Sequence, residues 1–208
     1  MLMRSVVIVS LFALGLLIAG CAYVDYSRHY LGDFVPHVEI SRVEGDAGGS
    51  LSMNVTSMAC GGDPYVHSSL WLSDLTLEEI ESGDVDQGMI LHIELLFPPL
   101  PGSTPIDASA TNLSIRCIVI SGGELGIYEG GGFGYPIGTH EDGAMSLRIE
   151  PSGMVLGSHT DGFVDLLSPA ELTAVYSGAC DTAIAEVYAD SVNQLVTNAM
   201  GRTLYVKR

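Results

Sequence analysis

The chain has 208 residues, with 8 Lys and Arg against 25 Asp and Glu, for a formal net charge of −17 at pH 7. A surface of that sign repels phosphate backbones and anionic lipid headgroups, which argues against nucleic acid as a partner. With 47% apolar residues and acids spread along the chain, the composition is that of a folded domain, not of a disordered acidic segment.

The first twenty residues differ from everything that follows. MLMRS carries Arg4, the sole charge before Asp25, and is followed by an apolar stretch from Val6 to Ile18. That is the layout of a secretory signal and is short of the ~20 residues a spanning helix needs. The stretch ends Ile18-Ala19-Gly20-Cys21, which resembles the lipobox of bacterial prolipoproteins over residues 1–21. The resemblance implies diacylglyceryl attachment to the Cys21 thiol, cleavage before Cys21 and acylation of the new amino end. Several buried acyl chains, at ~0.8 kcal/mol per CH₂, hold a protein to a membrane without a spanning helix. Ala22, in place of Asp, follows the cysteine, and for this class that favours the outer membrane. Residues 1–20 are therefore read as signal, 21–33 as a lipidated tether and 34–208 as one domain. Cleavage leaves 208 − 20 = 188 residues and moves the charge from −17 to 7 − 25 = −18.

Beyond the tether, whose Tyr23, Tyr26, His29 and Tyr30 could rest at a membrane interface, period-two alternation recurs between Gly, Pro, Asn and Asp. It predicts strands at 35–43, 51–58, 89–97, 112–120 and 124–130, with a hairpin joining the last two. Residues 144–150 and 153–159 read as a second hairpin around Pro151-Ser152. The Pro-rich stretch 98–105 reads as a long hairpin loop, and 203–207 as a possible return to a sheet edge. Thr76-Leu77-Glu78-Glu79 matches a capping box, with Gly83 closing a two-turn acidic helix. A longer amphipathic helix runs from an Asp181 cap to Gly201, with Ile184, Val187, Tyr188, Ser191, Leu195 and Ala199 on one face. Residues 168–178 are balanced between helix and strand. The fold class expected is mainly β: an antiparallel sandwich or barrel-like sheet, a short acidic helix and one C-terminal amphipathic helix.

With Cys21 committed to lipid, Cys60, Cys117 and Cys180 remain. An exported protein meets oxidising conditions, so one disulfide and one leftover thiol is the simplest arrangement. Cys117 alternates with Leu113, Ile115 and Val119 and faces a core, whereas Cys60 (MACGGDPY) and Cys180 (SGACDT) sit in glycine-marked turns. Cys60–Cys180 is the favoured pair.

The candidate chemistry is sparse. His37-Val38-Glu39 and His92-Ile93-Glu94 repeat a His-x-Glu pattern on predicted strands, where alternate residues share a face. If the strands were neighbours, His37, Glu39, His92 and Glu94 would be a ligand set for zinc or iron. Set against that, an acidic half-exposed sheet produces such pairs as surface decoration. His140-Glu141-Asp142-Gly143 and His159-Thr160-Asp161-Gly162 read as turns. Asp84-Val85-Asp86-Gln87-Gly88 lacks the first acid of a calcium loop, and the glycine run within 128–134 lacks the Lys-Ser/Thr of a phosphate loop. No catalytic signature emerges, and no cofactor is implied. The expectation is a non-enzymatic lipoprotein of the cell envelope, held to the membrane through acyl chains on Cys21, that binds an envelope protein or serves assembly or structure. The alternatives are a lipid-anchored metal enzyme using the His/Glu set and a lipoprotein that captures a small ligand in a sheet-lined cavity.

Overall fold

A computed structural model describes residues 36–43, 49–63, 67–97, 111–137, 144–179 and 181–204. Signal and tether lie outside the described residues, as do residues 98–105, 140–143, 205–207 and Cys180. Ten strands follow in chain order: β1 (His37–Arg42), β2 (Ser50–Ser52), β3 (Ser57–Asp63), β4 (His67–Ser73), β5 (Gln87–Leu95), β6 (Leu113–Ser121), β7 (Glu124–Gly132), β8 (Gly134–Ile137), β9 (Ala144–His159) and β10 (Ala170–Ala179). Helix α1 (Leu77–Ser82) lies between β4 and β5, and α2 (Thr182–Met200) follows β10. The fold is the mainly β, antiparallel architecture that the alternation predicts, with the short acidic helix and the C-terminal helix in place.

All the strands belong to one sheet, in the order β2-β1-β10-β9-β7-β6-β5-β4-β3, with β8 paired to β9. That order forces a curl. Laid flat, nine strands at ~4.8 Å spacing span roughly 38 Å. The two outermost strands, β2 and β3, are joined only by Met53–Thr56, and the five steps from Ser52 to Ser57 reach at most ~18 Å. The sheet therefore closes into a half-barrel. Met53 lies buried inside it and its N–H donates to the Val38 carbonyl at 2.9 Å. The concave face carries one core, in which Ile40, Leu72, Leu91, Leu95, Ile115, Cys117 and Leu172 are almost fully enclosed. The convex face of β3–β7 carries a second, built from Trp71, Ile80, Ile90, Ile118, Ile127 and the inner side of α2.

Several local expectations change. The hairpin predicted at Pro151 is one 16-residue strand, β9. Proline lacks a ladder N–H and is tolerated at an irregularity. Pro151 falls where the β9–β10 register shifts, between Leu172↔Ser152 and Ala174↔Ile149. It also falls where the neighbour on the other side passes from β7 to β8. Residues 168–178 resolve as a strand entry and β10, following a cis Ser168–Pro169 peptide. The glycine run within 128–134 is not a turn but the end of β7 and the start of β8. The predicted strand at 51–58 breaks at 53–56, because β2 and β3 serve opposite edges of the sheet. Cys60 sits in β3, not in a turn. The β6–β7 hairpin is as predicted, its two-residue Gly122-Gly123 turn holding both glycines at positive φ, the conformation that matches strand twist.

Both helices are capped as their sequences require. The Thr76 hydroxyl accepts from the Glu79 N–H while the Glu79 carboxylate accepts from the Thr76 N–H at 2.8 Å. Those hydrogen bonds, backbone first, hold the Glu79 carboxyl below its ordinary range. Asp181 caps α2 through the N–H groups of Ala183 and Ile184, and Gly201 closes it. The buried face of α2 is Ala185, Tyr188, Val192, Leu195 and Val196, and Ile184 and Val187 are about half exposed. Close approach decides this rotation. A side chain at Gly61 would come within 3.0 Å of the Ala185 Cβ, a gap that admits alanine but not isoleucine.

Candidate functional site

The most structured polar group on the sheet is a row crossing four strands at the rim of the area that α2 covers. Trp71 of β4 stands opposite His92 of β5, His92 opposite Arg116 of β6, and Arg116 opposite Glu129 of β7. The His92 ring stacks on the indole at 3.7 Å between centroids and 7° between planes. Its Nε2 is 2.8 Å from the Ser69 hydroxyl. Arg116 Nε donates to Glu129 Oε1 at 3.2 Å. Trp71 in turn meets Tyr188 of α2 at 5.9 Å, and the Tyr188 hydroxyl lies 3.0 Å from that of Ser57. Burial raises the Tyr188 pKa, against hydrogen bonds from Ser57 and Ser73 that lower it.

A hydroxyl within reach of an imidazole is the first element of a nucleophile–base pair. A base must also be reachable by its substrate. The imidazole itself is buried under the indole. The row is best understood as the sealed border of the convex core, where an aromatic stack gives way to an exposed ion pair.

The predicted metal set is not assembled. His37 and Glu39 stand on the convex side of β1, with Val38 and Ile40 pointing into the concave core. His92 and Glu94 occupy the convex side of β5. Four strands, β10, β9, β7 and β6, lie between β1 and β5, about 24 Å along the sheet at ~4.8 Å per step, and convex-side groups on a curled sheet diverge. Among the described residues no three His, Cys, Asp or Glu are grouped to hold a metal ion. His159 ends β9 with its Nδ1 2.8 Å from the Thr160 carbonyl. Asp84 and Asp86 are exposed between α1 and β5. Residues 140–143 and the tether aromatics lie outside the described residues.

The β9–β10 connection, residues 160–169, folds over one mouth of the half-barrel. Phe163 occupies the space a side chain at Gly126 would need, so glycine there makes the slot, and Phe163 meets Tyr128 edge-on at 6.3 Å. Leu167 is buried in the concave core. The Tyr128 hydroxyl donates to Asp165 Oδ1 at 2.8 Å, and the N–H groups of Leu167 and Ser168 donate to the same oxygen at 3.1 and 3.0 Å. Burial, then the bond to Asp165, drives the Tyr128 pKa up. Desolvation pushes the Asp165 carboxyl up as well, yet the donors from Ser168, Tyr128 and Leu167 prevail and hold it below its usual value. While Phe163 and Leu167 turn inward, Val164 and Leu166 are 70% and 66% exposed. No local pattern in the sequence marks this loop, because its anchor, Tyr128, lies 37 residues from Asp165.

Cys117 is a buried free thiol in the concave core. Burial, with a smaller contribution from the Asp74 carboxylate, pushes its pKa far up, so it is no nucleophile at neutral pH. Cys60 is buried on β3 with its Sγ 3.5 Å from Met145 Sδ of β9. Among the described residues no helix is long and apolar enough to cross a membrane. Searches of protein-family models, curated proteins and solved structures find no match to this chain.

Proposed function

We propose that the chain is a lipid-anchored envelope protein, acylated at Cys21 and placed in the outer membrane, that acts without catalysis by contact with another envelope protein. The lipobox-like Ile18-Ala19-Gly20-Cys21 supports the anchor. One structural observation carries the contact role: the half-barrel is filled by its own side chains while the 160–169 loop turns Val164 and Leu166 to solvent. Arg42 pairs with Ala170, where the loop ends, and His37 pairs with Val175. The loop therefore lies at the far end of β1 from Pro36. Val43, 56% exposed, flanks the loop, its N–H donating to the Pro169 carbonyl at 2.9 Å. An exposed apolar tip on a domain with a filled core is a contact surface rather than a pocket.

A photo-crosslinking residue at position 164, introduced in cells making the full-length chain, should give a discrete envelope adduct. That adduct should be lost with Leu166→Asp and absent when the probe replaces Glu186 on the exposed side of α2. Equal labelling from 164 and 186 would contradict the tip as the contact. In the same cells Cys21→Ser should abolish incorporation of labelled palmitate; undiminished labelling would overturn the anchor.

A further inference from the structure

The exposed apolar tip has an acidic frame. Asp165 stands between Val164 and Leu166, and Asp161, also exposed, precedes them in the same loop. A side chain at Gly162 would come within 2.6 Å of the Glu124 carboxyl, which places that carboxyl two residues from Val164, where it accepts from the Thr160 hydroxyl. Exposed Asp86 joins the same end, its carbonyl accepting from the Gly123 N–H at 3.0 Å beside Glu124. Against desolvation, donors from Ser168, Tyr128 and Leu167 hold the Asp165 carboxyl below its usual range, so it stays charged at neutral pH. Cations are scarce by comparison. No Lys or Arg occurs between Arg42 and Arg116 or between Arg148 and Arg202. Of the segments that meet at this end, 42–43, 84–87, 121–124 and 159–170, Arg42 alone supplies one.

We propose that the tip accepts a basic, apolar segment of a partner protein: aliphatic or aromatic side chains covering Val164 and Leu166, flanked by Lys or Arg that face Asp161, Asp165, Glu124 and Asp86. The inference rests on the reading of the tip as a contact surface and names what that surface takes. Covering the two apolar side chains strips water from the carboxylates around them. A neutral or acidic segment leaves that loss uncompensated, whereas cations offset it and steer the approach. The same charges disfavour two other occupants. A second copy docking tip to tip would set the four acids against their own images across a two-fold axis. Anionic lipid would be repelled by them. Apolar contact then sets how long the complex lasts, and charge sets how fast it forms.

Full-length protein with the photo-crosslinking residue at position 164 is held in neutral detergent with one of two peptides of equal length, alternating Leu with Lys or Leu with Glu. A third sample uses mixed micelles containing phosphatidylglycerol and no peptide. The Leu/Lys peptide should be labelled, and the labelling should fall about tenfold from ~0.1 to ~1 M sodium chloride, as the Debye length shrinks from ~10 to ~3 Å. Asp161→Lys should lower it about three- to tenfold, whereas Glu186→Lys, the same charge change on the exposed side of α2, should leave it unchanged. Equal labelling of the two peptides, labelling of neither, or equal losses from Asp161→Lys and Glu186→Lys would overturn the basic partner. So would stronger labelling of phosphatidylglycerol or of a second copy. The contact reading is judged separately, by the position-164 adduct in cells. If that adduct forms and Asp161→Lys leaves its yield unchanged, the contact stands and the basic partner falls.

Discussion

The two faces of the sheet solve the same problem by different means. The concave face is enclosed by the sheet's own curl and by the 160–169 loop, so its side chains come from strands far apart in sequence. The convex face needs a separate cover, and α2, together with Ile80 of α1, supplies it over β3–β7. On β5, Met89–Ile93 are buried on both faces, whereas β10 over Ala170–Val175 and β1 over His37–Ser41 alternate between buried and more exposed positions. The row Trp71–His92–Arg116–Glu129 marks where cover ends. Two-sided burial thus follows the footprint of a helix, and one-sided burial follows the lack of one.

The comparison is broken most forcefully by truncating its covered centre. Trp71→Ala removes the side chain linking β4, His92 and Tyr188, and should cost ~3–5 kcal/mol in urea unfolding. Hydrogen exchange should rise first in α2 and leave β9, β10 and β1 protected. Uniform loss of protection would mean the two cores are not separable.

A smaller effect tests the enclosure of the concave face. Tyr128→Phe deletes one bond to Asp165 and should cost about 1 kcal/mol, with faster proteolysis confined to 160–169. Its pH dependence has a defined sign. Tyr128, Tyr188 and Cys117 hold their protons more tightly when folded. Their contribution is therefore complete below the unfolded values, from ~8.5 for Cys and ~10 for Tyr, and is lost as pH rises through the folded ones. Asp165 is depressed when folded, so its contribution is present above ~3.9 and lost as pH falls through its folded value. Tyr128→Phe should flatten both limbs, and an unchanged profile would remove the Tyr128–Asp165 pair as an anchor.

How much of this was legible in the sequence follows from what each feature depends on. Caps are local, so Thr76, Glu79, Asp181 and Gly201 could be read directly. Strand alternation is local too, and the concave residues of β5 and β6 fell where period two put them, apart from Phe97, which is 45% exposed. Strand β4 went unassigned because Leu70-Trp71-Leu72, buried on both sides, does not alternate. The α2 face departs from its helical spacing at Ile184 and Val187 because Gly61, on strand β3, admits Ala185 in close approach. The His-x-Glu set required a knowledge of strand order that spacing does not contain. Cys60 looked like a turn residue because glycine marks close approach as well as reversal.

Two separate cores share one sheet, and the chain's single tryptophan reports on the convex one. Trp71 fluorescence in native protein should be blue-shifted and resist acrylamide, with Tyr188→Ala moving the emission to the red and admitting the quencher. Leu91→Ala, in the concave core, should lower stability by ~2–5 kcal/mol while leaving native emission and quenching unchanged. A native tryptophan open to acrylamide, or an equal red shift from Leu91→Ala, would contradict the division into two cores.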